Sequence, residues 1–115
     1  MKTTAHKVVN DQGTMILWRN RYYTFHRADG PAVYFIDGPR IGEEIWYYNN
    51  KIHRIGGPAI TRTDADVIDE AGKYSWAING EAYSTFTQYA EVVKPLMTEE
   101  AYFIMILTYG ADNGT

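Results

Sequence analysis

One seven-residue phrase occurs twice in this chain, and that repetition constrains the fold more than any other feature. His26-Arg27-Ala28-Asp29-Gly30-Pro31-Ala32 returns twenty-seven residues later as His53-Arg54-Ile55-Gly56-Gly57-Pro58-Ala59. Each copy follows an aromatic stretch led by a tryptophan, Trp18 in the first and Trp46 in the second. A reduced third lead-in, Trp76-Ala77-Ile78-Asn79-Gly80-Glu81, begins thirty residues after Trp46. Self-similarity at a fixed spacing of this size marks a modular repeat in which one supersecondary unit stacks on the next. The Gly-Pro pairs turn the chain sharply, because glycine reaches backbone angles other residues avoid and proline fixes the next φ. Repeats of this kind commonly serve as scaffolds for binding surfaces.

Around the phrase, residues 14–83 read as short strands broken by turn chemistry. Thr14–Arg19, Tyr22–Phe25, Ala32–Ile36, Ile45–Tyr48, Ala59–Thr63, Tyr74–Ile78 and Glu81–Tyr83 are rich in β-branched and aromatic residues. Asn10-Asp11-Gln12-Gly13 reads as a turn before the first of them, Asp37-Gly38-Pro39 as another, and Lys51-Ile52-His53 as a return. Asn49-Asn50 and Asn79-Gly80 predict tight hairpin turns, since asparagine and glycine tolerate positive φ. Residues 64–72 read as an acidic, irregular loop.

At Ser84 the character changes. Thr85 and Gln88 have capping-box spacing, and Phe86, Tyr89, Ala90 and Val93 then fall on one helical face. Pro95 ends that helix. Thr98, followed by Glu99 and Glu100, starts a second helix expected to run to about Tyr109, with Gly110 as its C-cap. The tail 111–115 is expected to fray. The second helix is apolar nearly all round, so it must be covered either by the rest of the chain or by a second subunit. In the latter case Tyr102, Ile104, Met105 and Tyr109 form the interface of a homodimer through helix 98–109. The expectation is a single α+β domain over 1–115. An antiparallel β-meander of repeated hairpins (14–83) is followed by a helical extension (84–110) with two C-terminal helices.

Composition narrows the function. The 115 residues include ten tyrosines and three tryptophans, which suit either a binding surface or simply half-buried strands. Net charge is −3, with no footprint for a phosphate backbone at that level. Cysteine is absent, so disulfides and thiolate metal sites are excluded. The first residues lack the apolar core of a signal peptide, and the longest apolar run, Ala101–Leu107, is too short to cross a bilayer. A cytoplasmic protein without membrane association is expected.

The arrangement resembles degenerate MORN-type hairpin repeats, whose units carry a Trp/Tyr lead-in, an Asn-Gly-type turn and then His-Arg-Glu-Asp-Gly-Pro-Ala. The resemblance spans roughly residues 15–83. It implies a meandering antiparallel sheet without a common catalytic activity, and a phage or large DNA virus accessory protein that binds a host or viral macromolecule. The chain departs from the pattern at Ala28, where an acid is expected, at Gly56, which replaces the aspartate, and in the third unit, which lacks the phrase.

Three functional readings follow. The first is a non-catalytic module that binds a host or viral protein by occupancy, as an adaptor or as an inhibitor, for instance of host defence. Its candidate binding residues are Tyr22, Tyr23, Arg27, Trp46, Tyr47, Tyr48 and Arg54. The second is a single-stranded nucleic-acid binder that interleaves Arg19, Arg21, Arg40, Lys51, Arg54 and Arg62 with aromatic rings. The third is a phosphodiesterase using His26 and His53 as acid and base, Asp29 beside them, and Arg27 and Arg54 on phosphate. A metal version would add His6, but no two histidines have ligand spacing on one element. The expected outcome is binding without turnover, cofactor or metal. Structural use of His26, Arg27, His53 and Arg54, with each arginine stacked on an aromatic ring and each histidine bonded to a turn, is the competing account of the phrase.

Overall fold

Each copy of the phrase is a loop that leaves the strand ladder opposite one tryptophan and rejoins it there. The Trp18 carbonyl accepts from the His26 amide at 3.0 Å, and the Trp18 amide donates to the Ala32 carbonyl at 2.7 Å. Trp46 holds His53 and Ala59 in the same way, at 3.1 and 2.7 Å. The far side of each loop is bonded to the next unit. Arg27 and Ala32 donate to the carbonyls of Tyr47 and Ile45, which flank Trp46, and Arg54 and Ala59 donate to those of Ala77 and Ser75, which flank Trp76. Tryptophans and Gly-Pro loops therefore alternate across the sheet, and every loop amide so used finds a partner, as buried backbone requires.

The computed structural model describes residues 3–110, without the side chain of Glu70. The strands are β1 (Thr3–Asn10), β2 (Gly13–Asn20), β3 (Val33–Phe35), β4 (Glu44–Ile45), β5 (Tyr47–Tyr48), β6 (Lys51–Ile52), β7 (Ile60–Thr61), β8 (Tyr74–Ile78) and β9 (Glu81–Tyr83). Seven of them form an antiparallel sheet in the order β1-β2-β3-β4-β7-β8-β9, and β5-β6 pair as a separate hairpin. This is the expected meander, followed by helices α2 (Phe86–Val93) and α3 (Glu99–Met105), in an α+β fold. Asn49 and Asn50 both take positive φ, as do Asn79 and Gly80, so both hairpin turns form where their residues predict.

Three expectations are corrected. Residues 64–72 are not irregular: Ala65–Ala71 form helix α1, capped by the Asp64 carboxylate accepting from the Asp66 amide at 3.0 Å. That cap is a helix-start signal that the weak apolar periodicity of the segment concealed. Tyr22–Phe25 is not a strand. The Asn20 side chain accepts from the Tyr22 and Thr24 amides, Tyr23 turns at φ 65, and the chain rejoins β2 at the bridge from Arg19 to Phe25, beside the bonds of Asn20 to Thr24 and of His26 to Trp18. Strand β1 precedes the first predicted strand and pairs with β2 along its whole length. Its mixed Thr, His and Lys sequence carries no alternation because it is a largely exposed edge.

The core lies in two parts. Leu17, Val33 and Phe35 form the smaller, beneath the first repeat, with Phe25, Ile45 and Tyr47 against it. The larger joins Trp76 and Ile78 to the predicted α2 face, Phe86, Tyr89, Ala90 and Val93, and to Met105 of α3. Helix α2 starts as its spacing predicts, with the Thr85 hydroxyl accepting from the Gln88 amide while Gln88 reaches back to the Ser84 amide. Thr98 caps α3 through the Ala101 amide. Beyond Met105 the chain widens into a π-helical turn, Ile106–Gly110, so Gly110 closes a turn packed against Phe86 and is not the expected cap beyond a helix. The tail 111–115, expected to fray, lies outside the described residues.

The helical addition docks on the second Gly-Pro loop through one hydroxyl. The fully buried Tyr89 accepts from the Gly56 and Gly57 amides at 3.0 and 3.4 Å and donates to the Arg54 carbonyl at 2.5 Å. Burial, the largest influence, raises the phenol above its usual pKa and keeps that donor protonated. Tyr89→Phe leaves two loop amides and a carbonyl without partners. It should lower stability by about 1–3 kcal/mol in chemical denaturation, with little change in the slope.

Candidate functional site

The conspicuous side chains of the phrase are held alike in both copies. The Arg27 guanidinium lies 4.4 Å from the Trp18 ring centre and that of Arg54 lies 4.0 Å from Trp46. Each donates through one Nη to the proline carbonyl of its own loop, Pro31 at 3.3 Å and Pro58 at 3.2 Å. The glycine before each proline makes room for this. A Cβ on Gly30 would stand 2.7 Å from the Arg27 guanidinium carbon, and one on Gly57 would stand 2.6 Å from that of Arg54. The phrase is thus a self-contained device: Gly-Pro curls the loop, and the loop carbonyl holds an arginine flat on the indole. The indole N–H groups of Trp18 and Trp46 are buried without a hydrogen-bond partner among the described residues, at the same place in both copies.

The histidines tie one unit to the next. His26 accepts at Nδ1 from the Asn49 amide and His53 from the Asn79 amide, both at 2.9 Å. The Tyr48 ring packs against both imidazoles, at 4.4 Å from His26 and 5.8 Å from His53 between centroids. Asp29 turns to Arg27, with Oδ1 3.2 Å from Nε, and not to a histidine. The acid–base arrangement of His26, His53 and Asp29 considered from the sequence is therefore not assembled. Among the described residues no three His, Asp or Glu side chains converge as a metal ion needs.

The two copies differ at one point that matters. Where the first has Asp29, the second has Gly56, at φ 97, with the Met97 methyl 3.4 Å from where a Cβ would stand. The glycine turns its amide toward Tyr89, so the missing acid is the local condition for docking the helices. Arg54 is left with no carboxylate partner among the described residues. It lines a small cleft of about 180 Å³ between the copies, together with Arg27, Ala28, Trp46, Tyr48, His53 and Ile55. A larger hollow of about 610 Å³ lies beside β8 and Tyr109, walled by aromatic rings and hydroxyls.

The remaining candidates separate into surface and interior. Tyr22 and Tyr23 stand exposed on the 20–24 turn, with Arg21 over the first ring at 4.9 Å and Arg19 over the second at 5.7 Å. This turn abuts the Asn49–Asn50 turn, since Asn50 exchanges hydrogen bonds with Phe25 and Asn20 reaches Asn49. Tyr48 is also exposed. Tyr47 instead packs on Phe25 at 5.1 Å, and Trp46 lies under Arg54 in the wall of the cleft, so both are half-buried. Of the residues proposed for a subunit interface, Met105 is 2% exposed and belongs to the core, and Tyr102 and Tyr109 lean on it. Ile104, at 56%, faces outward with Phe103 and Leu107. Arg40 and Arg62, two of the nucleic-acid candidates, are drawn away to Glu43 and to the Gly72 carbonyl.

Asn49, Asn79 and Tyr89 escaped notice as site residues in the sequence. Each asparagine stands three residues after a lead-in tryptophan, a spacing that would have paired it with the histidine of the preceding unit. No family model, curated protein or solved structure matches this chain.

His53 makes the repeat contact sensitive to acid. Partial burial lowers its pKa below 6.5, so the unfolded chain takes up a proton there before the folded one does. Its contribution to stability is complete above about pH 6.5 and is lost as pH falls toward the folded value. Denaturation midpoints should decline as pH falls below about 6.5, before most carboxylates titrate. His53→Gln should flatten that decline.

Proposed function

We propose that this chain is a non-catalytic binding module that engages a host or viral protein by occupancy, as an inhibitor or adaptor, in the manner its resemblance to MORN-type repeats implies. The observation that carries this reading is the edge where adjacent hairpin tips present Tyr22, Tyr23 and Tyr48 to solvent on a braced scaffold. Rigid amphipathic rings of this kind are favoured anchors at protein interfaces. Support also comes from the phrase, whose histidines and Arg27 are occupied in holding units together, which leaves the tyrosines and Arg54 for recognition. The test is affinity capture from the natural host with wild type and the Tyr22→Ala/Tyr23→Ala/Tyr48→Ala variant in parallel. A defined partner should be recovered by the wild type and weakened about tenfold or more in the variant. Equal capture by both, or background proteins alone, would sink the reading.

The guanidinium groups over Tyr22 and Tyr23 favour a second reading, in which single-stranded nucleic acid stacks on the same rings. Binding to oligothymidylate that falls steeply with salt would select it.

A homodimer through the outer face of α3 belongs to the first reading, with Phe103, Ile104 and Leu107 as its contact. Met105→Glu should unfold the protein, because an unpaired buried charge costs about 3–5 kcal/mol. Ile104→Glu should fold, and sedimentation should then report a monomer where the wild type is a dimer. Identical sedimentation of the two would remove the second copy from that face.

A further inference from the structure

We propose that the cleft at Arg54 receives a carboxylate side chain, aspartate or glutamate, from an acidic segment of the partner protein. This deepens the protein-binding reading and rests on it. The argument comes from comparing the two copies of the phrase within one molecule. Arg27 has three satisfied surroundings: the Trp18 ring beneath it, the Pro31 carbonyl on one Nη, and the Asp29 carboxylate 3.2 Å from Nε. Arg54 repeats the first two with Trp46 and Pro58, and has glycine in place of the third. The chain itself thus shows which group completes an arginine held in this way. In the second copy no described residue supplies that group, and the cleft leaves room for one from a partner.

The surroundings fit the same chemistry. A guanidinium laid on an indole and partly withdrawn from water gains more from a charged acceptor than an exposed one does, and its planar fork matches a carboxylate. The cleft's volume of about 180 Å³ suits a single short side chain and is below the roughly 300–1,000 Å³ of pockets for larger ligands. His53 also lines it. Because its Nδ1 accepts from the Asn79 amide, a neutral ring carries its proton on Nε2 and offers a second donor. Arg27 stands on the same cleft with its charge already matched by Asp29, so one cation awaits one anion. A nucleic-acid backbone would need a track of cations. Arg40 and Arg62 are turned to Glu43 and to Gly72, away from any such track.

The test uses the intact chain, a capped tetra-aspartate peptide and its tetra-asparagine counterpart, read by NMR at the Arg54 Nε–Hε and Trp46 indole signals. The acidic peptide should shift both and saturate with a dissociation constant on the order of 1 mM, while the amide peptide leaves them in place. Arg54→Lys, which keeps the charge and loses the fork, should weaken binding about tenfold. Asp29→Ala should strengthen it, because it frees Arg27 on the same cleft. Asp29 is 88% exposed, so that variant folds and the idea stays open to refutation even if Arg54→Lys does not fold. Absence of shifts with the acidic peptide, unchanged affinity in both variants, or a stronger response to oligothymidylate or inorganic phosphate would each overturn the proposal. If Arg54 ignores the peptide while the tyrosine variant still loses its partner, the carboxylate site fails and the binding module stands. If the peptide binds at Arg54 and the tyrosine variant captures normally, the tyrosine edge fails instead.

Discussion

The interaction on which this sheet rests is the bracketing of its tryptophan strands by Gly-Pro loops, with Trp46 between two of them and Trp18 against one. A strand pair alone would be weak here, because several of the strands are only two residues long. Length is replaced by brackets. Each phrase is hydrogen-bonded to the tryptophan of its own unit and to the residues beside the tryptophan of the next. Its arginine then covers the first indole. Cation–π contact, loop carbonyl and glycine clearance meet at the same guanidinium in both copies.

The same logic explains how the repeat ends. Trp76 has no phrase to cover it, and the helical addition supplies aromatic rings instead: Phe86 at 4.9 Å, Tyr89 at 5.0 Å and Tyr109 at 5.4 Å. A repeat array must finish with a unit that hides its last apolar face, and here α2 and α3 serve as that cap. Docking the cap also reshaped the neighbouring loop. Tyr89 needs the Gly56 amide turned toward it, and an aspartate Cβ at φ 97 would be strained beside Met97. The departure from the first copy thus suits the contact with the helices, and it leaves Arg54 without a carboxylate in its own loop.

Much of the meander was legible because its signals are local. Asn49-Asn50 and Asn79-Gly80 turn where positive φ is cheap, and Phe86, Tyr89, Ala90 and Val93 bury as one helical face. The Asp64 cap was local too, but it preceded a segment with little periodicity, and β1 had none because one edge of the sheet faces water. The aromatic run Tyr22–Phe25 misled for the opposite reason. Its β-prone residues were overruled by the side chain of Asn20, which organises a turn by hydrogen bonds that no propensity records.

The sequence by itself determined the repeat, the sharpness of its Gly-Pro loops, the hairpin turns and the place where helices take over, because each follows from backbone sterics and periodicity within a few residues. Only the tertiary structure decided which conspicuous side chains were already occupied. That Arg27 meets Asp29 while Arg54 meets no carboxylate among the described residues emerges only in the folded loops. The division of the last helix into Met105, buried against Trp76 and its neighbours, and Ile104, left facing water, likewise emerges only on folding. Burial and charge pairing are properties of what is folded alongside, and an order of residues states them only after the chain has brought its distant parts together.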